Sequence, residues 1–85
     1  MDDTYQNPFV LRAIAASGGT QSELARRIGG KVRQGHVWKW LRMEKLTADA
    51  CLLIEKAMEG TPDPIKRQEM RPDLFGEMPK QRRAA

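Results

Sequence analysis

Apolar residues recur along this chain at spacings of three and four, the period of a helix with one buried face. Val10, Leu11, Ile14 and Ala15 form the first such stripe. Asn7-Pro8 ahead of it supplies an Asx cap and a proline for the first helical position, and Gly18-Gly19 behind it supplies a stop. The pattern predicts a helix over residues 8–17. Thr20-Gln21-Ser22-Glu23 then has capping-box spacing, with Thr20 as the cap and Glu23 reaching back. Leu24, Ala25 and Ile28 share a face until Gly29-Gly30 ends that helix after barely two turns. A third helix, over residues 33–43, turns Val37, Trp40 and Leu41 inward. Thr47 caps a fourth, TADACLLIEKAMEG, with Asp49 near its positive end. Its apolar side is Ala50, Leu53, Ile54, Ala57 and Met58, and Gly60, Pro62 and Pro64 close it. Beyond it Ile65, Met70, Leu74 and Phe75 are apolar enough to dock on the bundle through a further short helix.

No segment alternates as a strand would. The expected fold is all-α, a compact bundle of four to five short helices containing a helix-turn-helix. The expected boundaries are a flexible N-terminus at residues 1–7, the helical domain at 8–76 and a disordered basic tail at 77–85. Within residues 20–43 the first helix carries a small residue, Ala25, at its middle. A small side chain there permits the close, steep crossing of a helix-turn-helix.

The two tryptophans refine this picture. Residues two apart on a helix point roughly 200° apart, because each step turns about 100°. Trp38 and Trp40 therefore cannot both face inward. Trp40 lies on the stripe with Val37 and Leu41, so Trp38 faces outward together with Gln34, Gly35, Lys39 and Arg42.

Charge adds a partner class. The chain carries a net charge of +4, and its densest positive stretch is residues 31–45, where Lys31, Arg33, Lys39, Arg42 and Lys45 stand against Glu44 alone. A basic segment concentrated on a small chain points to a polyanion, most often nucleic acid, or else to a solvated surface. The single Cys51 excludes an internal disulfide and reads as a small core residue. Cys51 and the single His36 cannot close a four-ligand zinc site, and no metal or other cofactor is expected. No apolar run approaches the ~18 residues of a membrane span, and MDDTYQN has none of the features of a secretion signal. The expected setting is the cytoplasm. There is no nucleophile–base pair, no paired carboxylate in a plausible cleft and no phosphate-cradling loop, since GGK at 29–31 lacks P-loop spacing. An enzyme is not expected.

Four motifs in order then carry a resemblance. They are GGTQSELARRIG, V-x-Q-x-x-V-x-x-W-L over residues 32–41, ADACLLIEKAMEG and MRPDLF. Together they resemble the Cro/repressor helix-turn-helix superfamily, and within it the YdaS-like group of Cro-like phage regulators and antitoxins. The resemblance covers residues 10–75. One departure is that Gly30 and Lys31 intervene between Gly29 and Val32, making the turn two residues longer than the family pattern.

The resemblance implies a repressor-like regulator associated with the nucleoid of a bacterium or a phage-infected host, a homodimer on double-stranded DNA whose third helix enters the major groove of a near-palindromic operator. Gln21 would bond a phosphate and brace Gln34, and Gln34 would pair with adenine. Gly35 would let backbone approach the DNA, Lys39 would reach guanine or phosphate, and Trp38 would pack on sugars or a thymine methyl. Lys31, Arg33, Arg42 and Lys45 would contact phosphates, with Arg26 and Arg27 weaker candidates and His36 a surface or turn residue rather than a base reader. The competing expectation is a protein-interaction module, an antitoxin or phage protein that binds a toxin or host protein, with Trp38 and Leu74-Phe75 as contact residues.

Overall fold

The computed structural model describes residues 5–76. The first four residues of the expected flexible leader and the whole of the expected disordered tail lie outside the described residues. Six helices follow in order: α1 (Pro8–Ala16), α2 (Gln21–Ile28), α3 (Gln34–Leu41), α4 (Ala48–Met58), α5 (Arg67–Met70) and α6 (Pro72–Phe75). There is no strand among the described residues. The all-α class stands, with two one-turn helices where the periodicity suggested a single docking helix.

Each of the first, second and fourth helices starts where a side chain accepts orphan backbone N–H groups. Asn7 Oδ1 accepts from Phe9 and Val10, Thr20 Oγ1 from Glu23, and Thr47 Oγ1 from Ala50. Such caps stabilise by about 1 kcal/mol each. Only half of the expected capping box forms at α2, because the Glu23 carboxylate turns instead to Arg26 at 2.7 Å. Asn7 does more than cap. It is buried, its N–H donates to the Leu41 carbonyl at 2.8 Å, and its Nδ2 donates to the Met43 carbonyl at 2.9 Å. The start of α1 is thereby tied to the end of α3.

One core joins all layers. α1 contributes Val10, Ala13 and Ile14, α2 contributes Leu24 and Ala25, and α3 contributes Val37, Trp40 and Leu41. Leu46, Ile65 and Met70 complete it around Ala50, Cys51, Ile54 and Met58 of α4. This corrects two expected stripes. α1 is rolled so that Ala13 is buried while Leu11 and Ala15 are exposed, because α1 faces three helices rather than one. On α4 Cys51 is buried as expected, but the helix is rolled so that Glu55 is buried too and Leu53 is exposed, because α5 packs on the Glu55 side. Burial pushes the Cys51 thiol up from its ordinary pKa, so the group behaves as a small apolar one.

The segment after α4 is seated by Ile65 and Met70 and tied down by ion pairs. Arg12 forks onto Asp63, with Nη2 at 2.6 Å and Nε at 3.1 Å, and reaches Glu69 at 3.3 Å. Arg67 donates from Nε and from its backbone to the buried Glu55, at 2.8 and 3.2 Å, and its guanidinium lies over Phe75. These donors satisfy a carboxylate that would otherwise be costly to bury. Arg71 grips Asp73 with two hydrogen bonds and the Leu46 carbonyl with a third, at 2.6 Å. The charged residues of MRPDLF thus hold α6 to the loop before α4.

The Arg71 hydrogen bonds lower the Asp73 pKa to about 2, and Arg12 holds Asp63 below its ordinary 3.8. A depressed carboxylate stabilises fully above its unfolded pKa and loses that contribution as pH falls through the folded one. The Asp63 and Asp73 contributions to the docking of residues 61–75 are therefore expected to decline below about pH 3.8, the Asp73 part being gone below about pH 2, with Ile65 and Met70 still seated in the core. In an acid titration followed by NMR, Leu74 and Phe75 should move towards random-coil shifts before Val10 and Ile54 do. Simultaneous loss at all four would contradict this hierarchy.

Candidate nucleic-acid interface

α2 ends at Gly29, whose N–H donates to the Ala25 carbonyl at 2.9 Å. Gly29 and Gly30 both hold positive φ, 78° and 63°, a conformation side-chain-bearing residues rarely adopt. The chain can therefore reverse tightly, and Val32 N–H bonds back to the Gly29 carbonyl at 3.2 Å. The longer turn ends at Arg33, the N-cap of α3. Arg33 has no capping oxygen of its own. Its N–H donates instead to His36 Nδ1 at 2.9 Å, so the imidazole one turn into α3 serves the helix start from an exposed position. His36 is at the surface, as expected, and its place three residues after the cap is the signal in the sequence for the capping role that expectation leaves out.

From there the roll of α3 is set by its apolar positions. Val37 is sealed, Leu41 is 3% exposed and Trp40 is 8% exposed. Gln34, Gly35, Trp38 and Lys39 consequently lie on the solvent side, with Trp38 50% exposed. Trp38 is not a bare ring, because the Arg42 guanidinium sits over it at 5.3 Å. That guanidinium also donates to the Tyr5 carbonyl at 3.3 Å. Arg42, expected to be a plain phosphate contact, is half-buried and braces the tryptophan.

Gln21 and Gln34 are brought together across the turn. Gln34 Nε2 donates to Gln21 Oε1, which links the first residue of α2 to the first residue of α3. One Gln34 N–H and its Oε1 remain available, as does the Gln21 amide nitrogen. Gly35 is exposed, and a Cβ there would meet nothing within 4 Å. Nothing inside the protein requires a glycine at this position.

The distribution of ion pairs separates two kinds of cation. Arg12, Arg67 and Arg71 are bound to carboxylates, as is Arg26 to Glu23. Arg27 donates to the Ala57 carbonyl at 2.8 Å, which turns it towards α4. Among the described residues Lys31, Arg33, Lys39, Arg42 and Lys45 have no ion-pair partner. Lys45 does lie close enough to Asp73 to contribute to the depression of that carboxyl. Among the described residues Arg27, Lys56 and Lys66 also lack an ion-pair partner, but the basic segment is where such cations are densest. Among the described residues no three metal-ligating side chains gather, and no helix is long and apolar enough to cross a membrane.

Residues 10–79 match the model of the family described as bacterial toxin YdaS, and the chain belongs to that family. No curated protein and no solved structure matches the chain.

The two tryptophans should separate cleanly by substitution. Trp38→Phe is expected to change stability by no more than about 0.5 kcal/mol and to leave a blue-shifted emission from Trp40. Trp40→Ala is expected to cost about 3–5 kcal/mol, most of what a domain this small has to lose. Denaturant titrations with fluorescence check both, and a larger cost at Trp38 would refute the assigned roll of α3.

Proposed function

We propose that this member of the YdaS family is a sequence-specific DNA-binding transcriptional regulator of the Cro/repressor helix-turn-helix type. It binds double-stranded DNA as a homodimer and inserts α3 into the major groove of a near-palindromic operator. The observation that carries this reading is the Gln21–Gln34 hydrogen bond on the outward face of α3. A braced glutamine keeps one donor and one acceptor in a fixed orientation, the pair that an adenine edge complements at N7 and N6. The Gln21 amide and the amino end of α2 are then placed to donate to a phosphate.

Three features support the reading. Lys31, Arg33, Lys39 and Lys45 are exposed, and each phosphate they neutralise releases counterions and adds affinity without sequence information. Gly35 has no internal reason to be glycine and costs the helix about 1 kcal/mol relative to alanine, which fits a need for backbone to approach the DNA closely. Trp38, held by Arg42, offers a flat apolar surface to a sugar or a thymine methyl. A regulator needs no catalytic group, and in this reading the protein is not an enzyme. Toxicity, the property in the family's description, would follow from occupation of host operators.

A second reading rests on Trp38 alone. An exposed tryptophan beside an arginine is the composition of a protein-binding hot spot. It would suit an antitoxin or phage protein that binds and inhibits a toxin or host protein.

Selection of bound sequences from random duplex DNA by the purified protein is expected to yield a symmetric consensus. Failure to enrich, together with a stoichiometric protein partner retained from nuclease-treated lysate, would favour the second reading instead. On the selected site Gln34→Ala should cost about 1–3 kcal/mol and leave non-specific affinity unchanged. Lys39→Ala should weaken all DNA alike and flatten the salt slope by roughly one unit if it contacts phosphate. Gly35→Ala should raise thermal stability while lowering DNA affinity.

A further inference from the structure

We infer that the outward face of α4 pairs with a second copy of this chain, the two α4 helices lying antiparallel across a two-fold axis. The face consists of Asp49, Leu52, Leu53 and Lys56, spaced three, four and seven residues from the first, and so forms one stripe. Leu52 and Leu53 are 38% and 37% exposed, whereas Ala50, Cys51, Ile54 and Met58 on the other side of the same helix are sealed. Asp49 and Lys56 are exposed, and neither has an ion-pair partner among the described residues.

The stripe is a mirror of itself in a way that selects this partner. Asp49 stands as far before the midpoint of Leu52 and Leu53 as Lys56 stands after it. When two copies lie antiparallel about that midpoint, Leu52 meets Leu53 of the second copy. Asp49 then meets Lys56 of the second copy, and the reverse pair forms at the other end. A two-fold contact requires such self-complementarity, because each residue must suit its symmetry mate. Parallel helices would instead oppose aspartate to aspartate and lysine to lysine. Antiparallel packing also sets the two helix dipoles head to tail.

A shallow groove lined by Arg27, Ile28, Leu53, Lys56 and Ala57 adjoins the stripe on the side of α2. An 11-residue helix is only about 16 Å long, so the contact falls below the roughly 800 Å² per partner of tight complexes. The dimer is therefore weak and reversible. It is independent of what α3 binds and is tested without DNA.

Sedimentation equilibrium of the full chain at low salt is expected to show a monomer–dimer equilibrium in the micromolar to millimolar range. Asp49→Lys and Lys56→Glu should each weaken dimerisation about tenfold, with circular dichroism reporting that both variants remain folded. An equimolar mixture of the two variants should recover association to about the wild-type level, because every contact then joins opposite charges. A wild-type chain that stays monomeric at millimolar concentration would overturn the inference. So would a dimer unaffected by either reversal, or one abolished by Trp38→Ala alone.

Discussion

The seating of Val37, Trp40 and Leu41 in the core fixes the roll of α3 about its own axis, and the character of the candidate face follows from that roll. A helix turns about 100° per residue, so burying Trp40 forces Trp38 and Gln34 outward. The constraint is reinforced at both ends of the helix. At its start the His36 imidazole accepts from the Arg33 N–H. At its end the buried Asn7 ties the Leu41 and Met43 carbonyls to α1. A helix held this way has its backbone and roll fixed in advance, which lowers the ordering cost of any contact made by its outward face.

Charge is divided between two tasks. In the segment after α4, paired cations and carboxylates add to the apolar packing of Ile65, Met70 and Phe75. Arg12, Arg67 and Arg71 each make more than one hydrogen bond there. Around α3 and its preceding turn, positive charge is left without carboxylate partners among the described residues. The same residue types thus act as fasteners in the segment after α4 and as a source of positive potential around α3.

Much of this was legible in the sequence because it depends on neighbours along the chain. The caps at Asn7, Thr20 and Thr47, the glycine turn at 29–30 and the opposite facing of the two tryptophans are set by local spacing. What was not legible depends on which helices meet. Periodicity gave α1 a stripe containing Leu11 and Ala15, but a helix packed against three others is rolled by their combined demand, and Ala13 went in instead. On α4 the approach of α5 buried Glu55, which no apolar stripe could have nominated, while leaving Leu53 out. The Arg12–Asp63 pair joins residues 51 apart, a separation that hides it from local reading. Arg42 read as an outward cation. Its commitment to the Trp38 ring follows from their four-residue spacing, but its bond to the Tyr5 carbonyl required the fold.

The central claim is that the outward face of α3 is the surface that meets nucleic acid. It is tested most directly by amide- and side-chain-resolved NMR during titration with duplex DNA. The account predicts that the Gln21 and Gln34 side-chain amides, the Gly35 backbone amide, the Trp38 indole and Lys39 shift together. Ile54 and the Arg67–Phe75 segment should stay in place. Shifts confined to α1, α4 or α6, or no shift at any concentration of DNA, would contradict it.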